Sequence, residues 1–264
     1  MVNIIVCIKQ VPASTKVKAD PETGMFKADD TEDPIINPFD EYAIEEGIRL
    51  REKHGGVVKI LSMGPARVEK AIRTAIAMGA DEGYLATDQA FNGADTWATA
   101  YTLAAAIKKT GAFDIIICGK QTMDSDTAQV GPTVAEMLGI PFITYVRKIR
   151  EISATAITVE RMMESGYAVM QMPLPGLITV VKEINEPRLA SLKGIMKSKK
   201  TEVKKLTATD CGVDTEKTGL YGSGAWVLRT ATPQKRSGGE KMTGEVPELV
   251  GKLSSTIINL KLIK

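Results

Sequence analysis

Short apolar runs alternate with longer amphipathic stretches through the first 150 residues. Runs at 3–8, 57–63, 82–86, 114–118 and 142–146 are short and mostly apolar, with Ile115-Ile116-Ile117-Cys118 the clearest β-branched case, the pattern of buried parallel strands. Helices are expected between them, over about 38–53, 66–78, 95–109 and 133–138. Asn37 is a good N-cap, Pro38 suits a first helical position, and Asp40 and Glu41 favour the positive end of the dipole. Gly79, Gly111 and Gly139 follow or close three of these helices. The alternation predicts an α/β fold: an open, mostly parallel sheet with helices on both faces.

Two stretches depart from the alternation. Residues 16–27 read as a small hairpin around Pro21 and Gly24. From residue 149 onward, 155–161 and 167–172 read as a small antiparallel addition joined at Glu164-Ser165-Gly166, and 177–181 is one more apolar strand. Beyond 182 the chain turns basic, with Arg188, Lys193, Lys197, Lys199, Lys200, Lys204 and Lys205 in a short span. Residues 206–245 hold many Gly, Thr and Ser, and 246–262 has helical apolar spacing at Leu249, Leu253 and Ile257. The expected division is therefore an α/β domain over 1–182 and an extended C-terminal arm over 183–264 that lies on a partner.

Composition narrows the chemistry. With 264 residues, 44% hydrophobic and 25% charged, the chain is long enough for a substantial core. A net charge of +2 gives no argument for nucleic acid. Cys7, Cys118 and Cys211 form no CxxC pair, which points to buried thiols in a reducing compartment. His54 is the only histidine, so neither a His-based triad nor a multi-His metal site is expected. No apolar run approaches 18 residues, so neither membrane insertion nor a signal peptide is expected, and the cytoplasm is the expected location.

The most informative segment is 113–138. An apolar strand, Ile115-Ile116-Ile117-Cys118, runs into Gly119-Lys120-Gln121-Thr122-Met123-Asp124-Ser125-Asp126-Thr127-Ala128-Gln129-Val130-Gly131-Pro132 and then a helix. In open α/β sheets ligands bind beyond the carboxyl ends of strands, where glycine admits close approach and helix N–H groups hold anions. Three other strand ends are similar: Cys7-Ile8-Lys9-Gln10, Ser62-Met63-Gly64-Pro65, and Asn92-Gly93-Ala94-Asp95-Thr96-Trp97-Ala98-Thr99. In the last, Asp95 can cap a helix. Thr96 and Thr99 either face a phosphate or simply cap and meet solvent. Asp124 and Asp126 read as loop acids that bind backbone N–H groups. Met162, Met163, Met170 and Met172 read as half-buried core filling, and the lysines of 193–205 read as either a solvated linker or a docking surface. There is no GxGxxG after the first strand, no P-loop and no nucleophile elbow. From the residues alone, this is a nucleotide or cofactor binder without catalytic side chains.

Several motifs together resemble a known family. Val6-Cys7-Ile8-Lys9-Gln10-Val11-Pro12, Asn37-Pro38-Phe39-Asp40, Met63-Gly64-Pro65, Ala77-Met78-Gly79-Ala80-Asp81 and Gly119-Lys120-Gln121…Asp124…Asp126…Gln129…Gly131 occur in order. Asn185-Glu186-Pro187-Arg188-Leu189-Ala190-Ser191-Leu192-Lys193-Gly194-Ile195-Met196-Lys197 follows. The chain resembles the β subunit of electron transfer flavoproteins over nearly its whole length, least after about residue 206.

The resemblance implies a heterodimer with an α subunit that carries FAD, with residues 183–264 wrapping that partner. It implies an adenine nucleotide held by Cys7, Asn37, Met63, Asp124, Thr127, Ala128, Gln129, Val130, Gly131 and Thr133. It also implies that Leu192, framed by Lys193 and Lys197, docks on a flavin-dependent dehydrogenase for an acyl-CoA or a hydroxy acid. Housekeeping members hold AMP as a structural ligand, whereas electron-bifurcating members hold a second FAD. Asp126-Thr127-Ala128-Gln129-Val130-Gly131-Pro132 is similar to the bifurcating version, since housekeeping members usually carry Cys-Asn where Thr127-Ala128 stands. Gly93-Ala94-Asp95-Thr96…Thr99 is also similar to bifurcating members, which implies Asp95, Thr96 and Thr99 for the flavin phosphates. In that case NADH is a transient donor, and ferredoxin or flavodoxin takes one electron. The alternatives are a housekeeping subunit with AMP and a single FAD in the α subunit, and a stand-alone nucleotide-sensing module.

Overall fold

The computed structural model describes residues 1–13, 18–19, 26–27, 33–227, 239 and 241–261. The chain forms two compact units, Met1–Thr230 and Ala231–Lys264.

In the first unit β1 (Ile4–Cys7) is followed by β2 (Gln10–Val11), β3 (Lys18–Ala19), β4 (Phe26–Lys27), β5 (Ile35–Ile36) and α1 (Pro38–His54). Next come β6 (Val58–Met63), α2 (Glu69–Met78), β7 (Glu82–Ala86), α3 (Thr96–Lys109), β8 (Ile115–Gly119) and α4 (Val130–Leu138). The unit continues with β9 (Phe142–Ile152), β10 (Ala156–Met163), β11 (Gly166–Pro173), β12 (Gly176–Val180), α5 (Leu192–Lys200), β13 (Val203–Leu206) and α6 (Ala208–Cys211). Nine strands form one sheet in the order β11-β10-β9-β12-β8-β1-β6-β7-β13. From β9 to β13 the neighbours are parallel, while β10 and β11 add antiparallel at one end. This is the expected α/β architecture with its antiparallel addition.

Alternation along the central strands builds two cores. Ile4 and Val6 of β1 and Ile115 and Ile117 of β8 belong to the core that includes residues of α1 and α2. Ile5 and Cys7, with Ile116 and Cys118, belong to the core that includes residues of α3 and α4. Both strands are therefore buried on both faces, which is why these runs are continuously apolar.

The structure corrects several expectations. The boundary at 182/183 does not end the compact unit. Strand β13 pairs parallel with β7 at the sheet edge, with Val203 opposite Gly83, and Arg73 of α2 donates to the carbonyls of Ser198 (2.5 Å) and Thr201 (3.1 Å) near the end of α5. Gly194 of α5 lies directly on the carbonyl of Ala77, a space that a Cβ would fill. Lys204 reaches Glu82 at 3.2 Å and Lys205 reaches Glu69 at 3.4 Å, so these two lysines tie the segment to the fold. Helix α4 starts at Val130, one turn before the expected Thr133. The helix expected over 66–78 is split into a 3₁₀ turn at Ala66–Val68 and α2. Of the four strand methionines only Met172 is in the core, and Met163 and Met170 are exposed. The hairpin expected at 16–27 is present as the β3–β4 pair, with Lys18 opposite Lys27, and its Pro21/Gly24 turn lies outside the described residues.

The second unit contains α7 (Val246–Asn259), which has a proline in its first turn and an i,i+4 pair between Glu248 and Lys252 at 2.8 Å. None of its residues is buried, and Val246, Val250, Leu253 and Ile258 are exposed.

Candidate functional site

Strand order reverses between β1 and β8. From β1 the chain steps outward through β6 and β7, then returns to the other side with β8 and β12. A crevice at the carboxyl ends of strands at such a reversal is where open α/β sheets bind ligands. Cys7 and Cys118 are paired neighbours at these two strand ends. Met63 ends β6 beside them.

The first turn of α1 organises the loops above the crevice. Asn37 is fully buried and makes no side-chain cap on α1, contrary to the sequence expectation. Its Nδ2 instead donates to the Gln121 carbonyl at 2.9 Å, and its Oδ1 accepts from the Met123 N–H at 3.1 Å. Both halves of its amide are thus spent on the loop after β8. Lys9, at the end of β1, reaches into the same loop and meets Asp124 at 2.6 Å. Burial works against the Asp124 carboxylate, but Lys9, Thr122 and Ser125 outweigh it and hold its pKa below the usual range. Asp126 accepts from the Gln121 side chain. Among the described residues neither loop acid binds backbone N–H groups, which the sequence suggested.

The loop is bent into the left-handed region at Asp126 (φ 55°) and Ala128 (φ 55°), which is uncommon for residues with a Cβ. It leads into α4, where the N–H groups of Val130 and Gly131 have no acceptor among the described residues and Pro132 has none to offer. Gly131 lies against β12, where an added Cβ would stand 2.7 Å from Thr179 Cγ2, so this glycine brings the start of α4 close to the strand tops. The Thr133 hydroxyl donates to the Gln129 carbonyl at 2.9 Å, and Thr127 is exposed.

The start of α3 faces this loop. Thr96 Oγ1 donates to Gln129 Oε1 at 2.9 Å, joining the two sequence-predicted segments across the crevice. Asp95 caps α3 through Ala98 N–H at 2.9 Å, as expected. It also accepts from Gly224 N–H (2.8 Å) and Ala225 N–H (3.1 Å). Burial opposes its charge, and these donors overcome that and lower its pKa. The Asp95 carboxylate is therefore committed to backbone and the Thr96 O–H to Gln129, which leaves the Thr99 hydroxyl as the side-chain donor without a partner among the described residues at this helix start.

Sequence reasoning missed Asp40 as a site residue. Its carboxylate accepts from Lys9 N–H at 2.7 Å and from Gly119 N–H at 3.2 Å. It also missed Lys120, whose ammonium lies over the rings of Phe39 (5.1 Å) and Tyr145 (5.7 Å), with Tyr145 itself in the left-handed region.

A separate surface carries the other expected residues. Leu192 starts α5 and is 84% exposed, flanked by exposed Leu189 and Met196 and by exposed Lys193. Lys197 is not free. It donates to the Ala80 carbonyl at 2.9 Å and pairs with Asp81 at 3.3 Å.

Among the described residues no cluster of His, Cys, Asp and Glu could hold a metal ion, and no helix is long and apolar enough to cross a membrane. All three cysteines are free and buried.

Comparison with known proteins adds the following. Residues 26–211 match the family described as "Electron transfer flavoprotein domain". The electron transfer flavoprotein subunit beta of Thermoanaerobacterium thermosaccharolyticum is 50% identical over 252 residues, covering 95% of this chain and 96% of that protein. The caffeyl-CoA reductase-Etf complex subunit CarD of Acetobacterium woodii is 42% identical over 257 residues, 97% of each chain. Protein FixA of Azorhizobium caulinodans is 43% identical over 248 residues, 91% of this chain and 87% of its own. With the family matched over most of its length and relatives of this similarity end to end, the chain belongs to the electron transfer flavoprotein family, in its β-subunit line.

Proposed function

We propose that the chain is the β subunit of an electron-bifurcating electron transfer flavoprotein and that the crevice between β1 and β8 holds FAD. The carrying observation is the Thr96–Gln129 contact at 2.9 Å, which joins two polar strand-end segments into one groove. A mononucleotide needs one phosphate position, whereas a dinucleotide spans two. The start of α4 offers N–H groups at Val130 and Gly131 that have no acceptor among the described residues, and the start of α3 offers the Thr99 hydroxyl, joined by that of Thr96 when a phosphate replaces Gln129 as its acceptor.

The residues fit such a group. In this reading Cys7, Met63 and the loop from Asp124 to Thr133 line the groove, while buried Asn37 and Lys9 fix the loop and Gly131 draws α4 inward. Asp95 serves by holding the α3 start rather than by touching phosphate. Bound there, FAD supplies the redox chemistry, and the chain supplies position and partner geometry.

In this reading an α subunit with its own FAD completes the protein, and α7 with its uncovered apolar residues lies on that partner. NADH is the electron donor. One electron goes to a flavin-dependent dehydrogenase acting on an acyl-CoA or a hydroxy acid, and the other to ferredoxin or flavodoxin. The CarD relative, by name, belongs to a complex with a caffeyl-CoA reductase, which favours an acyl-CoA-type partner. Leu192 is the anchor for that partner. Steering charge falls to Lys193, Lys199 and Lys200, since Lys197 is bound to Asp81. The cytoplasm is the proposed location.

The test is the cofactor content of the complex purified with its α subunit. Two FAD and no AMP per αβ pair, followed by NADH-driven ferredoxin reduction, is the expected outcome. One FAD and one AMP would leave a housekeeping carrier instead.

A further inference from the structure

We propose that Asp40 is a positioning residue that ties the two loops of the nucleotide crevice together, and that its ionised form is the one that prepares the crevice for the adenine nucleotide. The inference rests on the reading that this crevice holds such a nucleotide.

The geometry is specific. β1 and β8 are the two strands flanking the reversal of strand order. The backbone leaving β1 gives the Lys9 N–H to one Asp40 oxygen at 2.7 Å. The backbone leaving β8 gives the Gly119 N–H to the other at 3.2 Å. One carboxylate therefore spans the mouth of the crevice. Gly119 leaves it room, since a Cβ there would strike Asp40 Oδ1 and the backbone of Phe39. Three positions earlier on the same chain, Asn37 holds the loop after β8 by the Gln121 carbonyl and Met123 N–H. A single helical turn, Asn37 to Asp40, thus fixes both the width of the crevice and the loop above it.

Ionised, both carboxyl oxygens accept. Protonated, one oxygen becomes a hydroxyl donor, and one of the two loop N–H groups loses a good acceptor. Burial raises the Asp40 pKa to about 7, although the N–H groups of Lys9 and Gly119, the Asn37 side chain and the Lys9 charge all pull it down. The two states are therefore both populated near neutral pH.

Among the described residues the charged and titratable groups around Asp40 are few. The turn after β1 brings Lys9, whose ammonium is held by Asp124. The strand ends bring Cys7 and Cys118. The Cys118 thiol is pushed up by its contact with Cys7, by burial and by the charge of Asp40. The loop after β8 brings Lys120, sandwiched between Phe39 and Tyr145. On its own helix the next residue is Glu41, whose pKa burial raises.

The experiment uses the full chain in complex with its α subunit, loaded with one FAD. It is titrated with further FAD and, separately, with AMP between pH 6 and 8. Wild type is compared with Asp40→Asn and Asp40→Glu, so that titration of the ligands and of the α subunit is common to all three. In wild type, affinity rises about tenfold from pH 6 to pH 8, the difference between a charged and a neutral acceptor at one hydrogen bond. In Asp40→Asn affinity is lower and this rise is absent. Asp40→Glu keeps a rise with pH but binds more weakly, because its carboxylate stands one methylene away.

Parallel pH profiles in wild type and Asp40→Asn overturn the inference and leave the reading of the crevice intact. If Asp40→Asn does not fold, unchanged affinity in Asp40→Glu overturns it. Binding of AMP alone, with the same difference between wild type and variants, upholds the inference and removes the bifurcating reading. Failure of both nucleotides to bind wild type overturns both.

Discussion

At the residue scale, Asp40 sets two tendencies against each other. A carboxyl whose folded pKa lies near 7 and whose ordinary value is 3.8 binds its proton more tightly in the folded chain. Its contribution to stability is complete below the ordinary value and is lost as pH rises through about 7. The difference corresponds to something on the order of 4 kcal/mol between pH 4 and pH 8. Urea unfolding across that range is expected to show a midpoint falling with pH, with a shallower fall in Asp40→Asn. An equal slope in the two proteins would mean that Asp40 does not carry the proton. Opposite pH trends, a fold loosening while the crevice improves, would be the signature of a group buried for its function rather than for stability. None of this was legible in the sequence. An acid in the first turn of a helix looks the same whether it meets solvent or two backbone N–H groups from strand ends 31 and 79 residues away. The loop itself was legible, because Gly119, the polar run 120–129 and the Gly131-Pro132 start mark a strand end opening into a helix. So was the Asp95 cap, which uses only neighbours in sequence.

At the element scale, strands and helices with their own local signature were found where the pattern placed them. Apolar runs with Val or Ile gave β1, β6 and β8, and Gly139 in the left-handed region (φ 68°) closes α4 as expected. What escaped is the α5–β13 excursion. Val203-Lys204-Lys205-Leu206 is only four residues long, and its two lysines fit an edge strand as readily as a loop. It is a strand because β7 and α2 hold it, through contacts no local window contains. The entry to this excursion is clasped in the same way. Arg188 binds Glu45 at 2.8 Å and Glu52 at 2.6 Å on α1, and Asn185 donates to the Tyr42 carbonyl and to Glu46. The Glu45 side chain is almost wholly buried, so losing Arg188 strands a carboxylate that Arg49 alone then holds. Arg188→Ala is expected to cost about 2 kcal/mol, below the full penalty for a buried pair because Arg188 is partly exposed. Hydrogen–deuterium exchange is the discriminating measurement. Faster exchange at 185–191 with an unchanged central sheet is expected. Unchanged exchange at 185–191 would show that the clasp does not hold the segment.

At the scale of the whole molecule, the first unit already contains what its sheet needs. Its central strands have helices on both faces, its antiparallel end is closed by β10 and β11, and its far edge is occupied by β13. Helix α7 is the opposite case. It spans 14 residues, none of them buried, and an isolated helix of that length is marginal in water. Deleting residues 231–264 is therefore expected to leave cooperative urea unfolding of the remainder within about 0.5 kcal/mol of the full chain. A peptide covering 241–261 is expected to be largely unstructured by circular dichroism. If the deletion unfolded the sheet, residues 231–264 would be part of the folding unit rather than an addition to it. If the deletion leaves the sheet intact and abolishes co-elution with the α subunit, the apolar residues Val246, Val250, Leu253 and Ile258 gain their stabilisation only on the partner. The function proposed for the crevice then depends on two separable parts of one chain: a self-sufficient sheet that holds a nucleotide at its strand-order reversal, and a segment whose order comes from assembly. Measuring both in one truncation separates the stability of the cofactor site from the formation of the complex that uses it.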